Sequence, residues 1–282
     1  LIRQLNAEIA KLNPADVAGY ARFLEYSARV YEEGYLKLGT VPFLDFKSML
    51  KAAPALIKEQ AWRSVYGMVS SYVQNEKLRE ALSFHTLLVG GNPMNTSSIY
   101  ALIHKLEKDG GVWWARGGTN RLIAGMVRHF ERLGGTMRVG DPVVQVHTLG
   151  TKATEVETKS GFRQRFDAVA SNADIMHSYK DLLSGSERGK QMTKSLNRKS
   201  YSPSLFVVHF GLEGTWPGIP HHMILFAKRY KGLLDDIYKN GVVPEDFAIY
   251  LHHPTVTDPG MAPEGKSTFY ALVPVSHMGK MP

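Results

Sequence analysis

Apolar residues recur at helical spacing through the first hundred positions. Val17, Tyr20, Leu24, Ala28 and Tyr31 share a stripe, and Asn13-Pro14-Ala15-Asp16 before them reads as N-cap, first-turn proline and first-turn acid. This predicts a helix of about five turns. Gly39, Pro42 and Asp45 interrupt it. Phe46 to Leu50 and then Ala55 to Arg79 resume the helical period, with Trp62, Val65, Tyr66, Val69 and Val73 on one face.

Beyond residue 111 the texture changes. Val112-Trp113-Trp114 reads as a short strand and Arg116-Gly117-Gly118-Thr119 as a turn. Leu122, Ile123, Met126, Val127 and Phe130 then form a helical stripe that ends at Gly134-Gly135. Met137–Val139, Val143–Thr148, Ala153–Thr158 and Phe162–Val169 are β-prone, the last two joined by Lys159-Ser160-Gly161 as a hairpin turn, which predicts a β-meander. A helix near Met176–Leu183 and a charged stretch Ser184–Lys199 come next. Further strands are expected at Leu205–Leu212, Met223–Phe226, Phe247–Leu251 and Phe269–Val275. Helices and strands are segregated along the chain, so the expected class is α+β rather than doubly wound α/β.

Composition narrows the chemistry. The 282 residues are 44% hydrophobic and contain no cysteine, which supports a packed core and excludes a disulfide scaffold, a Cys-ligated metal and a thiol nucleophile. Charges interrupt every apolar run well short of the ~20 residues that span a bilayer. The net charge of +8 is spread along the chain without a basic arm or an RNP-type aromatic motif, so nucleic acid is not an expected partner. A sharper use of the charge lies in Phe46 to Tyr72. There Lys47, Lys51, Lys58 and Arg63 accompany Trp62, Tyr66 and Tyr72, the pattern of a helix lying on anionic lipid or of a core helix with a solvated basic face.

Among eleven histidines, His221-His222 and His252-His253 are adjacent pairs. Neighbouring residues in a strand point to opposite faces, so neither pair is expected to chelate and no metal site is expected. Ser171 and Asp174 have no Gly-x-Ser-x-Gly elbow to anchor a hydrolase triad. The Gly117-Gly118 turn precedes a helix whose free N–H groups suit an anion or the polar edge of a cofactor, and it serves equally as an ordinary tight turn.

Four strings taken together resemble bacterial phytoene desaturases, carotenoid-forming flavoproteins of the amine-oxidase-like superfamily. They are Gly34-Tyr35-Leu36-Lys37-Leu38-Gly39-Thr40-Val41-Pro42-Phe43, Leu87-Leu88-Val89-Gly90-Gly91-Asn92-Pro93 with Thr96-Ser97-Ser98-Ile99-Tyr100, Gly111-Val112-Trp113 leading to Arg116-Gly117-Gly118-Thr119, and Val169-Ala170-Ser171-Asn172-Ala173-Asp174. The resemblance covers nearly the whole chain, in order. It implies an FAD-dependent enzyme that dehydrogenates phytoene toward lycopene, with the flavin carrying the redox chemistry and the protein supplying an apolar tunnel. A cytoplasmic protein, peripherally bound to the membrane that dissolves its substrate, is implied as well.

The family's Gly-x-Gly-x-x-Gly strand and its C-terminal glycine-rich segment do not occur here, so the chain is expected to be an internal fragment, inactive alone. The implied organisation is a helical substrate and membrane-associating region at 1–110, part of a GR2-type FAD-binding domain at 111–175, and a substrate-binding antiparallel or mixed sheet at 176–282. Under this resemblance Val143, in Asp141-Pro142-Val143-Val144, recognises adenine through its backbone. Asn172, at the end of a returning strand, and the Gly117-Gly118 turn also face the cofactor. Where relatives carry an Asp and an Arg one helical turn apart near the flavin, this sequence has Ser48 and Lys51, the implied catalytic positions, and the change to serine removes a carboxylate base. Two other readings stay open: a related flavoprotein acting on another carotenoid or apolar substrate, and a non-catalytic carotenoid-binding module. Oligomeric state is not readable.

Overall fold

The computed structural model describes residues 2–279 and is α+β, with one compact unit formed by Leu1–Gly117 and Ser202–Pro282 and a second by Gly118–Tyr201. The first unit opens with α1 (Ile2–Leu12) and α2 (Asp16–Tyr31), which continues as a π-helical turn to Lys37. The core face of α2 is Gly19, Tyr20, Phe23, Tyr26, Ser27 and Val30. It is therefore rotated from the purely apolar stripe of the sequence. The rotation is possible because the hidden polar groups are satisfied: Ser27 Oγ donates to the Ala101 carbonyl at 2.8 Å, and the Tyr26 hydroxyl reaches Ser98 Oγ at 2.9 Å. Asp16 is buried, and its carboxylate accepts the backbone N–H groups of Gln74 and Asn75 at 2.7 and 2.8 Å. The expected first-turn acid thus ties down a distant turn, while Asn13 caps only the local N–H of Ala15.

The next helices are shorter than the Ala55–Arg79 period suggests. Helix α3 (Phe46–Lys58) runs through Pro54, starts at an Asp45 cap and ends before Gln60, whose φ of 55° reverses the chain. Helices α4 (Val65–Val69) and α5 (Glu76–Ser83) restart from Ser64 and Asn75, whose side chains accept the N–H groups of Gly67 and Leu78. With α6 (Leu102–Gly110) they close a core of Ile9, Tyr20, Phe23, Tyr26, Val30, Val65, Met68, Val69, Val73, Leu78, Leu82 and Ala101.

The second unit contains α7 (Thr119–Arg132) and a sheet of β1 (Val143–Leu149), β2 (Lys152–Thr158) and β3 (Arg163–Arg165). The strand order β1-β2-β3 is antiparallel throughout, the expected meander with its turn at 159–161. Helix α8 (Ile175–His177), extended by a π-helical turn to Leu182, and α9 (Glu187–Leu196), which fills the charged stretch, complete this unit. Three expected strands differ. Val112–Trp114 and Met137–Val139 are irregular, and Phe162–Val169 keeps only Arg163–Arg165, because no described strand lies beside the remainder to pair with it.

The first unit resumes with β4 (Ser204–Glu213), β5 (His222–Leu225), α10 (Tyr230–Asp235), β6 (Ile249–His252) and β7 (Lys266–Val275). The antiparallel sheet has the order β4-β7-β6-β5, so the last strand is inserted between earlier ones. Lys231 pairs with Glu76 at 2.9 Å, and Phe226 packs edge-on against Phe84, joining this sheet region to the helices. No helix among the described residues is long and apolar enough to cross a membrane.

Candidate cofactor and lipid-facing sites

The start of α3 brings Ser48 and Lys51 onto one face but gives them different surroundings. Asp45 Oδ1 accepts both the N–H and the hydroxyl of Ser48, at 2.7 and 2.6 Å. The Ser48 hydroxyl and then its N–H hold the Asp45 carboxyl below the usual carboxylate range. Ser48 therefore starts the helix, and the carboxylate absent at its own position is present one turn earlier. Lys51 is exposed and lacks the burial that a proton-relaying lysine requires.

Around Lys51 the surface is apolar as well as basic. Leu44 is 87% exposed and Phe46 77%, with Met49, Leu50, Ile57 and Trp62 also open to solvent; within α3 only Ala52 is buried. Lys47 and Lys58 flank them and are exposed. Three residues grouped with this face by sequence do not belong to it. Arg63 donates to the Gly67 carbonyl at 2.8 Å, Tyr66 donates to Glu76, and Tyr72 packs on Phe23.

The turn needs its glycines: Gly117 and Gly118 have φ of 82° and 81°, which glycine adopts without strain and residues with a β-carbon rarely do. The Gly117 N–H is already occupied, donating to Asp258 Oδ2 at 2.6 Å, while the Trp114 indole donates to the same oxygen at 3.2 Å. These two donors, Gly117 first, hold the Asp258 carboxyl below its ordinary range. Gly118 caps α7 with no side chain to take the first N–H groups of that helix. Val143 is partly exposed in β1, an edge strand of its sheet. Asn172 lies exposed in the irregular 166–174 segment rather than at a strand end. Set against the pyrophosphate and adenine of FAD, Gly118 leaves the start of α7 without a side-chain cap, Val143 stands on an edge strand, and the Gly117 N–H is already held by Asp258.

The histidines correct the sequence argument. His221 precedes β5, so strand alternation does not constrain it, and its ring lies 4.4 Å from that of His222, centroid to centroid. The register of β5 on β6 sets His222 directly opposite His252, the cross-strand signal that reading each pair separately missed. Burial lowers the pKa of all three, that of His252 to about 4, so the rings are neutral near pH 7.

The apolar tunnel implied by the resemblance is not enclosed by the described residues. The best-formed hollows are open and polar, one of about 790 Å³ edged by His147, Thr154, Glu155, Arg165 and Asp167. Apolar surface lies instead on open elements. Strand β4, at a sheet edge, exposes Leu205, Phe206, Val207 and Val208 on both faces, and α7 exposes Leu122, Ile123, Met126 and Phe130.

With this geometry in view, comparison with known proteins is informative. Residues 3–281 match the family of flavin containing amine oxidoreductases. The chain is 54% identical over 277 residues to a lycopene-forming phytoene desaturase of Paracoccus sp. (strain N81106 / MBIC 01143), covering 98% of this chain and 55% of that protein. It is 51% identical over 276 residues to a protein of the same description from Pantoea ananas, covering 98% and 56%. A solved oxidoreductase from Methanosarcina mazei superposes with a TM-score of 0.57 at 19% identity, over 83% of this chain and 53% of that one, a likeness of fold alone. The chain spans about half the length of the curated relatives it matches.

Proposed function

The chain belongs to the family of flavin containing amine oxidoreductases, and from that premise we propose that it carries the substrate-handling region and part of the FAD-binding region of a desaturase acting on phytoene toward lycopene. The observation that carries this reading is the collinear identity of more than half its residues with a lycopene-forming relative. In this proposal residues 1–110 and 176–282 handle substrate and 111–175 contribute to the cofactor site. Gly118 and Val143 offer backbone groups to FAD, and Asn172 and Gly117 belong to the same cofactor-binding stretch. FAD supplies the acceptor for the two electrons of each desaturation. The residues of this chain bind, orient and exclude water. Ser48 and Asp45 fix the start of α3, and Lys51 stands on its lipid-facing surface.

The open apolar surfaces support this division. A ten-residue edge strand that is apolar on both faces, such as β4, ordinarily requires a cover. The full reading frame containing this chain, expressed in a phytoene-accumulating host, is expected to yield lycopene, identified by chromatography and absorbance. Residues 1–282 alone are expected to leave phytoene unchanged and to purify without a stoichiometric flavin band. A different carotenoid product from the full frame refutes the substrate assignment, and a stoichiometric band with residues 1–282 refutes the division of the cofactor site.

Membrane docking through α3 belongs to the same proposal, since an apolar face rimmed by Lys47, Lys51 and Lys58 matches an interface containing anionic lipid. Each lysine near such a surface contributes about 1 kcal/mol. Replacing all three with glutamine is expected to lower co-sedimentation with phosphatidylglycerol vesicles at least ~10-fold. The same change is expected to have little effect on neutral vesicles, and equal losses on both would show that charge is not the attraction.

A further inference from the structure

The geometry points to a site for a first-row divalent cation of the zinc type, held by the imidazoles of His221, His222 and His252 at the open edge of the β5–β6 ladder. One ring nitrogen from each of the three lies within 4.8 Å of the others. Tetrahedral bonds of 2.0–2.1 Å place ligand nitrogens ~3.3 Å apart, so ring rotations of about an ångström close the set. His222 is exposed and His252 is buried, so the adjustment falls on His222, which can pivot about its hydrogen bond to Tyr250.

The hydrogen bonds around the cluster orient the rings for this purpose. His221 Nδ1 lies 2.7 Å from Thr257 Oγ1. His222 Nδ1 and His252 Nδ1 lie 2.6 and 3.1 Å from the same Tyr250 hydroxyl oxygen. The Tyr270 ring stands edge-on to that of Tyr250, with centroids 5.6 Å apart. A hydroxyl oxygen can accept two hydrogen bonds while donating its own proton elsewhere. In the tautomers that protonate Nδ1, Thr257 Oγ1 and the Tyr250 oxygen accept from the three rings, and each ring keeps an Nε2 lone pair. Such outer partners are what fix the tautomer of metal-ligating histidines. His221 Nε2 is buried without a hydrogen-bond partner, the position of a ligand atom awaiting its ion. Trp114 and Tyr270 wall the cluster, with ring centroids 4.9 Å from His221 and 4.5 Å from His252 respectively. Among the described residues no carboxylate joins the set, so a fourth position is left to water. This inference does not depend on the carotenoid reading, since its ligands come from one sheet and its flanking turn.

The test is titration of untagged, chelator-treated 282-residue chain with Co²⁺ and Zn²⁺, followed by visible absorbance and calorimetry. The expected result is one ion per chain and the ligand-field bands of a tetrahedral Co²⁺ centre, which Zn²⁺ displaces. His222→Ala alters an exposed ring and is expected to weaken binding at least ~30-fold, Tyr250→Phe about 10-fold, in the range set by loss of ligands and their outer partners. His129→Ala, on exposed α7, is expected to leave binding unchanged, with circular dichroism confirming that each variant is folded. Absence of one-to-one binding, an octahedral Co²⁺ spectrum, or affinity that survives His222→Ala overturns the assignment.

Discussion

Gly19→Ala is expected to destabilise the helical region by about 3 kcal/mol, the upper part of the range for overpacking a closed core. Gly19 sits on the buried face of α2, and a methyl carbon there would lie far inside van der Waals contact with the Tyr72 carbonyl oxygen. That obstacle is backbone, so no rotamer change relieves it. Helix α2 would have to move away from the 72–73 segment, disturbing the contacts of Phe23 and Tyr26 with Tyr72. The direction is diagnostic, because in an unobstructed helix alanine is better than glycine by up to about 1 kcal/mol. A thermal midpoint lowered by roughly 6–10 °C would confirm the close approach, and a raised one would show that the helix and loop are not in contact. Gly218→Ala is the matched control, since nothing lies near its added carbon and its backbone is not in the left-handed region.

Gly19 illustrates where the sequence was legible and where it was not. Helical periodicity located α2, but its apolar residues alone pointed to a face through Val17, Leu24 and Ala28, while the buried face takes in Gly19, Tyr26 and Ser27. A glycine and a serine give no hydrophobic signal, and their burial depends on partners at Tyr72 and Ala101. Asp16 is a similar case, read as a first-turn acid and found holding two N–H groups some sixty positions away in sequence. The meander and the four strands beyond residue 202 were legible because alternation and turn chemistry are local properties. Val112–Trp114 and the end of Phe162–Val169 were not, since a strand needs a neighbour and β propensity does not supply one.

The candidate sites divide in the same way. The basic and apolar character of α3 was written in Phe46, Lys47, Leu50, Lys51 and Lys58, and it survives in the fold as exposed surface. The capture of the Gly117 N–H by Asp258 was hidden, because 141 positions separate the two. The histidine trio was half visible: two adjacent pairs stood out, but their meeting depends on the register of β5 on β6. The missed signal was cross-strand pairing, which brings residues opposite one another together even where alternation separates neighbours along one strand.

Acidification is expected to unfold the protein in a range where carboxylates are not yet responsible. His85 is buried in the helical region, and burial, reinforced by the neighbouring His104, pushes its pKa down to about 4 against an opposing hydrogen bond to Leu82. Burial, with Lys108 adding to it, pushes His104 down to about 4 as well. His104 Nε2 lies 3.0 Å from the Tyr20 hydroxyl, which burial raises to about 12, so a protonated hydroxyl shares a hydrogen bond with a neutral ring. Histidine in an unfolded chain ionises near ~6.5. Between there and pH 4 the unfolded state binds protons that the folded state refuses, so stability falls as the pH falls. The contribution is whole above the unfolded value and gone below the folded one, and for His85 alone it amounts to about 3 kcal/mol. Carboxylates held low in the fold, such as Asp45, Glu76 and Asp258, act in the same direction only below their unfolded values near ~4. Urea unfolding at pH 7.5, 6.0 and 5.0 therefore isolates the histidines. His85→Leu, which keeps an apolar filling without a titrating group, is expected to flatten the dependence over that interval even if it shifts stability at pH 7.5. An unchanged slope in that variant would mean that His85 is reached by solvent and that the acid sensitivity arises elsewhere.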